Sequence, residues 1–436
     1  MFDAFSSALV SVWLSASGMP QSLNSAVDVL QTTPWLVNAA NADSTTDALL
    51  QQYLKGLASE GLPIEAQGIW LQSGPMVLSN NQGAMPLPAA SLTKIATTLV
   101  ALDTWGTDHR FETVISTTAP IQQGVVNGDL VIKSGGDPLF VWEQAFAVGN
   151  ALNKLGIAKV TGNLVIVGNF QMNFEVMPDK AGALLKQALN AATWSEDAIA
   201  QYQNLPPGTP RPQLEIAGAV RVVPEGSLPQ TQEVLRHQSL PLVQILKLMN
   251  VYSNNVIAQT LADLAGGAPI VAQKAAALSG VSAQEVLLAN GSGLGVENRI
   301  SPRAVCAMLS AVQRYAIAHS LTIADLFPIA GKDQGTIQER PIPGGSVVKT
   351  GTLNDVSGLA GVLPTRDRGL IWFVIMNRGS DLDGLRAQQN QLLQGLTRQW
   401  GAVTSMPLAI APRRPIDPAS ALSNLSDRNE VLLAPQ

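Results

Sequence analysis

The sequence has few of the residues that build disulfides, zinc centres and histidine-based catalytic sites. Its single cysteine, Cys306, excludes a disulfide within the chain, which fits a reducing compartment or an envelope protein that needs no disulfides. The three histidines, His109, His237 and His319, lie far apart in the sequence. A Cys/His zinc site is therefore not expected, and few histidines are available for a Ser–His–Asp triad.

Charged residues and long apolar runs are also scarce. Charged residues make up 14% of the chain and the formal net charge is -5, so neither a nucleic-acid partner nor a disordered chain is expected. No apolar run reaches the length of a membrane span. The length of 436 residues and the hydrophobic content of 46% allow a large core and more than one domain.

The N-terminus gives a mixed signal for export. A short apolar patch covers residues 8–14 and Ala40-Asn41-Ala42 resembles a cleavage site, yet no lysine or arginine precedes Lys55. A cleaved leader and a loose arm both stay open. The composition along the chain predicts a leader or flexible N-terminal arm over 1–45, a main domain over 46–106 and 228–405, an inserted β-rich subdomain over 107–227, and a flexible C-terminal tail over 406–436.

Five strand-like runs belong to the main domain. GIWLQSG and PMVLSNN come early, whereas SVVKTGTL, LAGVL and LIWFVIMN come late, and short turns join the members of each group. Short connections imply antiparallel pairing. Helices predicted over 46–58 and 381–400 would cover one face, and a central helical region the other. The predicted fold class is therefore α/β mixed (α+β), with a five-stranded antiparallel sheet between helical layers.

A serine and a lysine stand one helical turn apart in the segment PLPAASLTKIATTLVAL. Ser91 lies at or near the start of an apolar helix, and Lys94 falls on the same face. Burial lowers the pKa of a lysine from about 10.4 by up to several units, and a neutral amine can activate a serine nucleophile. Taken alone, the pattern also fits a helix-capping serine and a lysine that extends to solvent.

The segment VYSNN lies at the junction of two predicted helices, over 242–249 and 256–265. Such a loop can project polar side chains into a cleft. Ser253 could pass a proton to a leaving amine, and Asn255 could hold a substrate amide. A helix cap between two helices explains the same residues.

The segment SVVKTGTL interrupts a β-rich run with polar residues and a glycine. Gly351 leaves space beside the strand edge, where a ligand could pair with the main chain. Lys349 would hold positive charge near the site and attract a substrate carboxylate, which Thr350 and Thr352 could bind. The alternative is a bulged strand with a surface lysine. A second Ser-x-x-Lys, formed by Ser346 and Lys349, cannot act as a pair, because a strand places these residues on opposite faces.

The three motifs together, in this order, are the signature of penicillin-binding proteins and serine β-lactamases. From about residue 46 to 405 the chain resembles the D-alanyl-D-alanine carboxypeptidase/endopeptidase family typified by penicillin-binding protein 4, peptidase family S13. Further matching stretches are LPAASLTKIATTLVALDTWGTDHRFET, NGDLVIKSGGDPLF, MNVYSNNVIAQTLA, ANGSGLGVENRISP and SVVKTGTLNDVSGLAGVL. The resemblance implies a β-lactamase/transpeptidase-like fold, with the main domain as the catalytic one.

The resemblance also implies an activity, a set of residue roles and a location. The family hydrolyses the terminal D-Ala–D-Ala bond of peptidoglycan stem peptides, and many members also cut the cross-links. Ser91 would be the nucleophile that β-lactams acylate, and Lys94 its base. No metal or organic cofactor is implied, and the expected location is the periplasm or cell envelope. The remaining implied roles are a proton relay and amide contacts at Ser253 and Asn255, and binding of the terminal carboxylate at Lys349, Thr350 and Thr352. Lys349 is counted among the catalytic residues and Gly351 among the substrate-binding ones. The N–H groups of Ser91 and Thr352 are expected to form the oxyanion hole.

The chain departs from the family pattern in ways that keep alternatives open. Asn254 and Asn290 stand where aspartate is common, and the insert is short enough for the family's third domain to be absent. No insert residue aligns clearly with those that recognise the stem-peptide side chain. Tyr252 with Asn254 also fits the Tyr-x-Asn motif of class C β-lactamases and related esterases, although the long insert argues against it. A catalytically inactive peptidoglycan-binding module is the second alternative.

Overall fold

The computed structural model describes residues 44–227, 230–414 and 425–433. The predicted leader or arm over 1–45 lies, except for its last two residues, outside the described residues. Within the described ranges the α-helices are α1 (Ser44–Ser59), α2 (Thr93–Trp105), α3 (Trp142–Lys154), α4 (Pro178–Ala188), α5 (Glu196–Gln203), α6 (Leu242–Tyr252), α7 (Asn255–Leu264), α8 (Ala268–Ser279), α9 (Pro302–Ala318) and α10 (Leu382–Trp400).

The strands of the described ranges are β1 (Gly68–Ser73), β2 (Met76–Asn81), β3 (Leu87–Pro88), β4 (Glu112–Thr117), β5 (Ile121–Gln122), β6 (Val125–Val126), β7 (Leu130–Ser134), β8 (Lys159–Val160), β9 (Leu164–Val167), β10 (Glu215–Ile216), β11 (Val220–Val223), β12 (Gln232–Gln238), β13 (Val286–Leu287), β14 (Arg299–Ile300), β15 (Val347–Leu353), β16 (Val356–Thr365), β17 (Gly369–Arg378) and β18 (Asn429–Val431). They form four sheets, with the strand orders β15-β16-β17-β1-β2, β10-β8-β6-β5, β11-β9-β7-β4-β12-β18 and β13-β14-β3.

The predicted five-stranded sheet is confirmed, and all its pairings are antiparallel. Its central strands are buried on both faces, which explains why LIWFVIMN is a nearly continuous apolar run. Successive strand residues point to opposite faces. Phe373 therefore packs in a core with α1 and α10, whereas Val374 packs in a second core with α2 and α9. The mixed fold with helical layers on both faces is confirmed.

Helix α2 lies at the centre of the helical layer. Every residue from Thr93 to Leu102 is buried, because α2 packs against α6, α7, α8 and α9. Its sequence is apolar around most of its circumference, as expected for a helix enclosed on all sides. Lys94 is therefore carried into the protein interior by the apolar residues around it.

The inserted region has a core of its own, built around Phe146, Leu164 and Ile166. Its sheet extends beyond the segment expected from the sequence. β12 starts after the predicted boundary at 227 and pairs with β4, and β18 pairs with β12 from within the segment expected to be a flexible tail. The sequence of β12, QEVLRHQ, is mostly polar, and β18 is three residues long, so neither shows the alternation that predicts a strand.

The described residues lack two kinds of feature. None of the helices there combines the length and apolarity that crossing a membrane requires. No group of three or more His, Cys, Asp or Glu side chains in the same ranges is arranged to hold a metal ion.

Candidate active site

Ser91 lies in a short 3-10 turn, Ala90–Leu92, that leads directly into α2. Ala90 has a φ of 46°, a conformation that costs a residue with a Cβ about 1–3 kcal/mol. Neighbouring backbone groups hold the turn, because the Ala89 N–H donates to the Asn298 carbonyl at 2.8 Å and the Leu92 N–H donates to the Ala89 carbonyl at 3.0 Å. The predicted position of Ser91 at a helix start is thus reached through a strained turn.

The Lys94 amine meets three oxygen atoms inside the protein. Lys94 Nζ lies 2.9 Å from Ser91 Oγ, 2.7 Å from Asn255 Oδ1 and 2.7 Å from the Ser292 carbonyl oxygen. The side chain has no exposed surface. Burial lowers the pKa of Lys94 to about 7, because an ammonium ion loses its hydration in the interior. A large fraction of Lys94 is therefore uncharged near neutral pH.

The three partners of Lys94 match the hydrogen-bonding capacity of a neutral amine. Such an amine has two N–H donors and one lone pair. The donors can serve Asn255 Oδ1 and the Ser292 carbonyl, which leaves the lone pair for the O–H of Ser91. This arrangement can remove the proton from a serine hydroxyl as the serine attacks.

The VYSNN loop supplies two side chains to the same cleft. Ser253 ends α6 in the left-handed conformation, with φ 53° and ψ 39°. Asn254 caps α7, because its side-chain oxygen accepts a hydrogen bond from the Ile257 N–H at 3.0 Å. Asn255 is the first residue of α7 and contacts Lys94. The middle residue of the motif therefore shapes the loop, while the two outer residues face the lysines.

Lys349 enters the cleft from the edge strand β15. Its side chain has no exposed surface, and Nζ donates to Ser253 Oγ and to the Thr350 carbonyl, both at 2.8 Å. Burial and the nearby Lys94 charge lower the pKa of Lys349 well below its usual value. Lys94 with Ser91 and Asn255, and Lys349 with Ser253, therefore form two neighbouring contact groups, which brings side chains of the three sequence motifs together.

Gly351 lets the turn that carries Ser91 pack directly on β15. A Cβ at this position would lie 3.0 Å from the Ala89 carbonyl oxygen and 3.2 Å from the Leu92 nitrogen. On β16, a Cβ at Gly358 would lie 3.0 Å from a methyl group of Leu92. The turn occupies the face of β15 toward which a Cβ at Gly351 would point, so Gly351 fixes the distance between strand and nucleophile. The expected pairing of a ligand with the edge of β15 stays a prediction.

The two threonine hydroxyls of β15 have different partners. Thr350 is buried, and its Oγ1 lies 2.7 Å from Thr336 Oγ1. Thr352 is exposed, and its Oγ1 accepts a hydrogen bond from Arg386 Nη2 at 3.2 Å. Thr352 therefore sits beside a positive charge, whereas Thr350 sits beside a neutral hydroxyl.

Two other pairings in the same segments are not formed. Ser346 Oγ donates to the Pro343 carbonyl at 2.7 Å, away from the Lys349 amine, as the strand period predicts. The Tyr252 side chain is 49% exposed, and Asn254 serves as a helix cap. Tyr252 and Asn254 therefore lack the contacts with the lysines that Asn255 makes with Lys94 and Ser253 makes with Lys349.

The loop over 289–298 completes the site, and the sequence analysis gave it no role. It presents the Ser292 carbonyl to Lys94. Asn290 Oδ1 accepts hydrogen bonds from the N–H groups of Ser292 and Gly293, at 3.2 and 2.8 Å. Gly293 has a φ of 86°, and a Cβ there would lie 1.8 Å from the Ala90 carbonyl oxygen. The glycines of ANGSGLG are the signal that points to such a close backbone approach.

Comparison with characterised proteins gives similar relatives and similar folds. The chain is 24% identical over 390 residues to D-alanyl-D-alanine carboxypeptidase DacB of Haemophilus influenzae. This alignment covers 67% of this chain and 80% of that protein. The Bd0816 predatory endopeptidase of Bdellovibrio bacteriovorus has a TM-score of 0.67 at 21% identity and covers 85% of this chain and 100% of its own. The Bd3459 predatory endopeptidase of the same organism, acylated by penicillin G and bound to immunity protein Bd3460, has a TM-score of 0.63 at 22% identity and covers 80% and 97%.

The family assignment rests on a wider match. The family model described as the D-Ala-D-Ala carboxypeptidase 3 (S13) family matches residues 57–177 and 214–399. These two ranges contain Ser91, Lys94, Ser253, Asn255 and Lys349. The chain therefore belongs to the D-Ala-D-Ala carboxypeptidase 3 (S13) family.

Proposed function

We propose that this chain hydrolyses the terminal D-Ala–D-Ala bond of peptidoglycan stem peptides through an acyl-enzyme on Ser91. The observation that carries the proposal is the 2.9 Å contact between Lys94 Nζ and Ser91 Oγ, made by an amine with a pKa lowered to about 7. A base whose pKa lies near the working pH transfers protons efficiently. Endopeptidase cleavage of cross-links uses the same bond chemistry and belongs to the same proposal.

In the acylation step, Ser91 Oγ attacks the carbonyl carbon of the penultimate D-alanine. Lys94 accepts the hydroxyl proton, and Asn255 and the Ser292 carbonyl hold the amine in place. Backbone N–H groups of Ser91 and Thr352 would stabilise the oxyanion, and one such donor contributes about 10²–10³-fold in rate. Gly351 allows the turn that carries Ser91 to pack against β15, which carries Thr352.

Departure of D-alanine requires a proton on its nitrogen. Ser253 would deliver that proton, because its hydroxyl lies 2.8 Å from Lys349 Nζ, which would return a proton to it. The proton that Lys94 took from Ser91 would pass to Lys349, so that Lys94 is neutral again. Water then attacks the acyl-enzyme, and Lys94 accepts the water proton and returns it to Ser91 Oγ. Thr350 and Thr352 of β15 would hold the substrate carboxylate.

The proposal includes inhibition by β-lactams, which would acylate Ser91 as penicillin G acylates the neighbour Bd3459. A strained lactam carbonyl presents the same electrophilic carbon as the D-Ala–D-Ala amide. Because the substrate is peptidoglycan, the site of action would be the periplasm or cell envelope.

Mass spectrometry of a muropeptide digest tests the proposed reaction. Purified protein is incubated with uncross-linked pentapeptide muropeptides and, separately, with cross-linked dimers. Release of D-alanine from the pentapeptide shows the carboxypeptidase reaction, and conversion of dimers to monomers shows the endopeptidase reaction. If neither product forms, the proposed function is wrong.

The Ser91→Ala variant is the matched control. It removes one oxygen atom from a partly exposed position, so folding should persist. The variant is expected to lose both reactions and to lose stoichiometric labelling by a fluorescent penicillin. A Tyr252→Phe variant that loses activity while Ser253→Ala keeps it would favour the esterase-like alternative.

A further inference from the structure

The site needs a permanent positive charge for its anionic substrate, and Lys349 is poorly placed to supply one. Its amine is enclosed and already donates to Ser253 Oγ and to the Thr350 carbonyl. Burial and the charge of Lys94 both lower the pKa of Lys349. The Lys349 amine is therefore already hydrogen-bonded to Ser253, and it is a weak source of positive charge for a bound anion.

Arg386 is the cation that reaches the exposed end of β15. It lies in the first turns of α10, and its Nη2 donates to Thr352 Oγ1 at 3.2 Å. A guanidinium stays charged throughout the physiological pH range. Thr352 is one of the two threonines assigned to the substrate carboxylate, and it is the exposed one.

The charge of Arg386 is only weakly neutralised by its acidic neighbour. Arg386 Nη1 lies 3.0 Å from Asp383 Oδ1, but the Asp383 side chain is 92% exposed. Such an ion pair is screened by solvent. A second guanidinium lies beside it, because Arg340, which is half-buried, donates to the Arg386 carbonyl. Desolvation and then the charge of Arg386 lower the pKa of Arg340 to about 10, so Arg340 stays charged near neutral pH and adds to the positive potential.

We infer that Arg386 is a specificity-determining residue that recognises the terminal carboxylate of the substrate together with Thr352. The inference rests on the proposed function. The guanidinium directs the Thr352 hydroxyl and supplies the charge that Lys349 does not. Because the carboxylate takes no part in bond making or breaking, we expect this contact to be about equally strong in the ground state and the transition state, and its loss to raise KM more than it lowers kcat.

Kinetics on two matched peptides test the inference. One peptide ends in D-Ala-D-Ala with a free carboxylate, and the other ends in the corresponding amide. For Arg386→Gln we expect KM for the free acid to rise about 10- to 100-fold, the range expected for a lost hydrogen bond to a charged group. The kinetics of the amide should not change, and Arg386→Lys should recover part of the loss. Raised salt should weaken binding of the free acid by the unaltered protein more than by Arg386→Gln.

Arg378→Gln is the matched control. Arg378 lies on β17 of the same sheet, pairs with Asp355 at 2.9 Å and is 49% exposed, without a contact to β15 residues. Arg378→Gln should leave the kinetics of both peptides unchanged. Equal kinetics of Arg386→Gln and the unaltered protein on the free acid would overturn the inference, as would an equal loss on both peptides. If the unaltered protein releases no D-alanine at all, the proposed function fails, and this inference fails with it.

Discussion

Lys94 and Lys349 lie close enough for the charge of one to lower the pKa of the other. Each amine lies within hydrogen-bond distance of a serine hydroxyl: Lys94 contacts Ser91, and Lys349 contacts Ser253. Because like charges in a buried cleft disfavour double protonation, the pair holds fewer protons than two isolated lysines. Burial lowers the pKa of Lys94 to about 7 and so keeps a neutral base beside Ser91, whereas burial and the charge of Lys94 together lower the pKa of Lys349.

The rate of Ser91 acylation should rise with pH through about 7. Below the Lys94 pKa of about 7, the amine is protonated and cannot accept the serine proton. The rate should therefore fall about tenfold for each further unit of pH. The measurement is the rate of fluorescent penicillin labelling from about pH 5 to about pH 9. A flat profile over that range would show that Lys94 is not the base.

Asn255→Asp should shift the same profile to higher pH. The substitution puts a carboxylate where Asn255 Oδ1 now lies, 2.7 Å from Lys94 Nζ. An adjacent opposite charge favours the ammonium form and raises its pKa by about 1–3 units. Labelling near neutral pH should slow at least about tenfold and recover in alkaline buffer.

Asn254→Asp is the control for charge alone. Asn254 caps α7 through the Ile257 N–H, and aspartate caps helices as well as asparagine does. Its profile should match that of the unaltered protein. An Asn255→Asp profile with an unmoved midpoint would contradict the assigned contact between Asn255 and the base.

Gly293→Ala should both destabilise the protein and slow acylation. The new Cβ would lie 1.8 Å from the Ala90 carbonyl oxygen, and the φ of 86° disfavours any side chain. Overpacking and backbone strain together should cost at least about 2 kcal/mol of unfolding free energy. Displacement of Ala90 also moves Ser91. Urea unfolding and labelling rates measure the two effects.

Gly226→Ala provides the comparison, because a Cβ at Gly226 meets no atom within 4 Å and its φ is not in the positive range. Its stability and labelling should stay unchanged. Normal acylation by a folded Gly293→Ala protein would mean that the 289–298 loop does not position the nucleophile.

Much of the fold follows from local pattern. The apolar alternation and runs of the five main strands predict their positions and antiparallel pairing, because these strands are apolar and their turns are short, although β16 extends well beyond the predicted run LAGVL. The polar strand β12 and the three-residue strand β18 lack such a pattern. They are strands because β4 offers an unpaired edge to β12, and β12 in turn offers one to β18.

The residues of the site also fall into two groups, those that short motifs predict and those that only long-range contacts bring in. Ser91, Lys94, Ser253, Asn255 and Lys349 belong to recognisable motifs, since each motif is short and each lies at a helix start, a helix junction or a strand. The Ser292 carbonyl and Arg386 do not belong to any of these motifs. Their roles arise from contacts with Lys94 and Thr352, 198 and 34 positions away.

Local sequence specifies which chemical groups this protein possesses and on which kind of element each stands, because helix and strand periodicity act over a few residues. Tertiary packing is what gives Lys94 a pKa of about 7 and what brings the turn that carries Ser91 against Gly351. Desolvation and close packing are produced by residues from many distant segments, and only the folded chain brings those segments together.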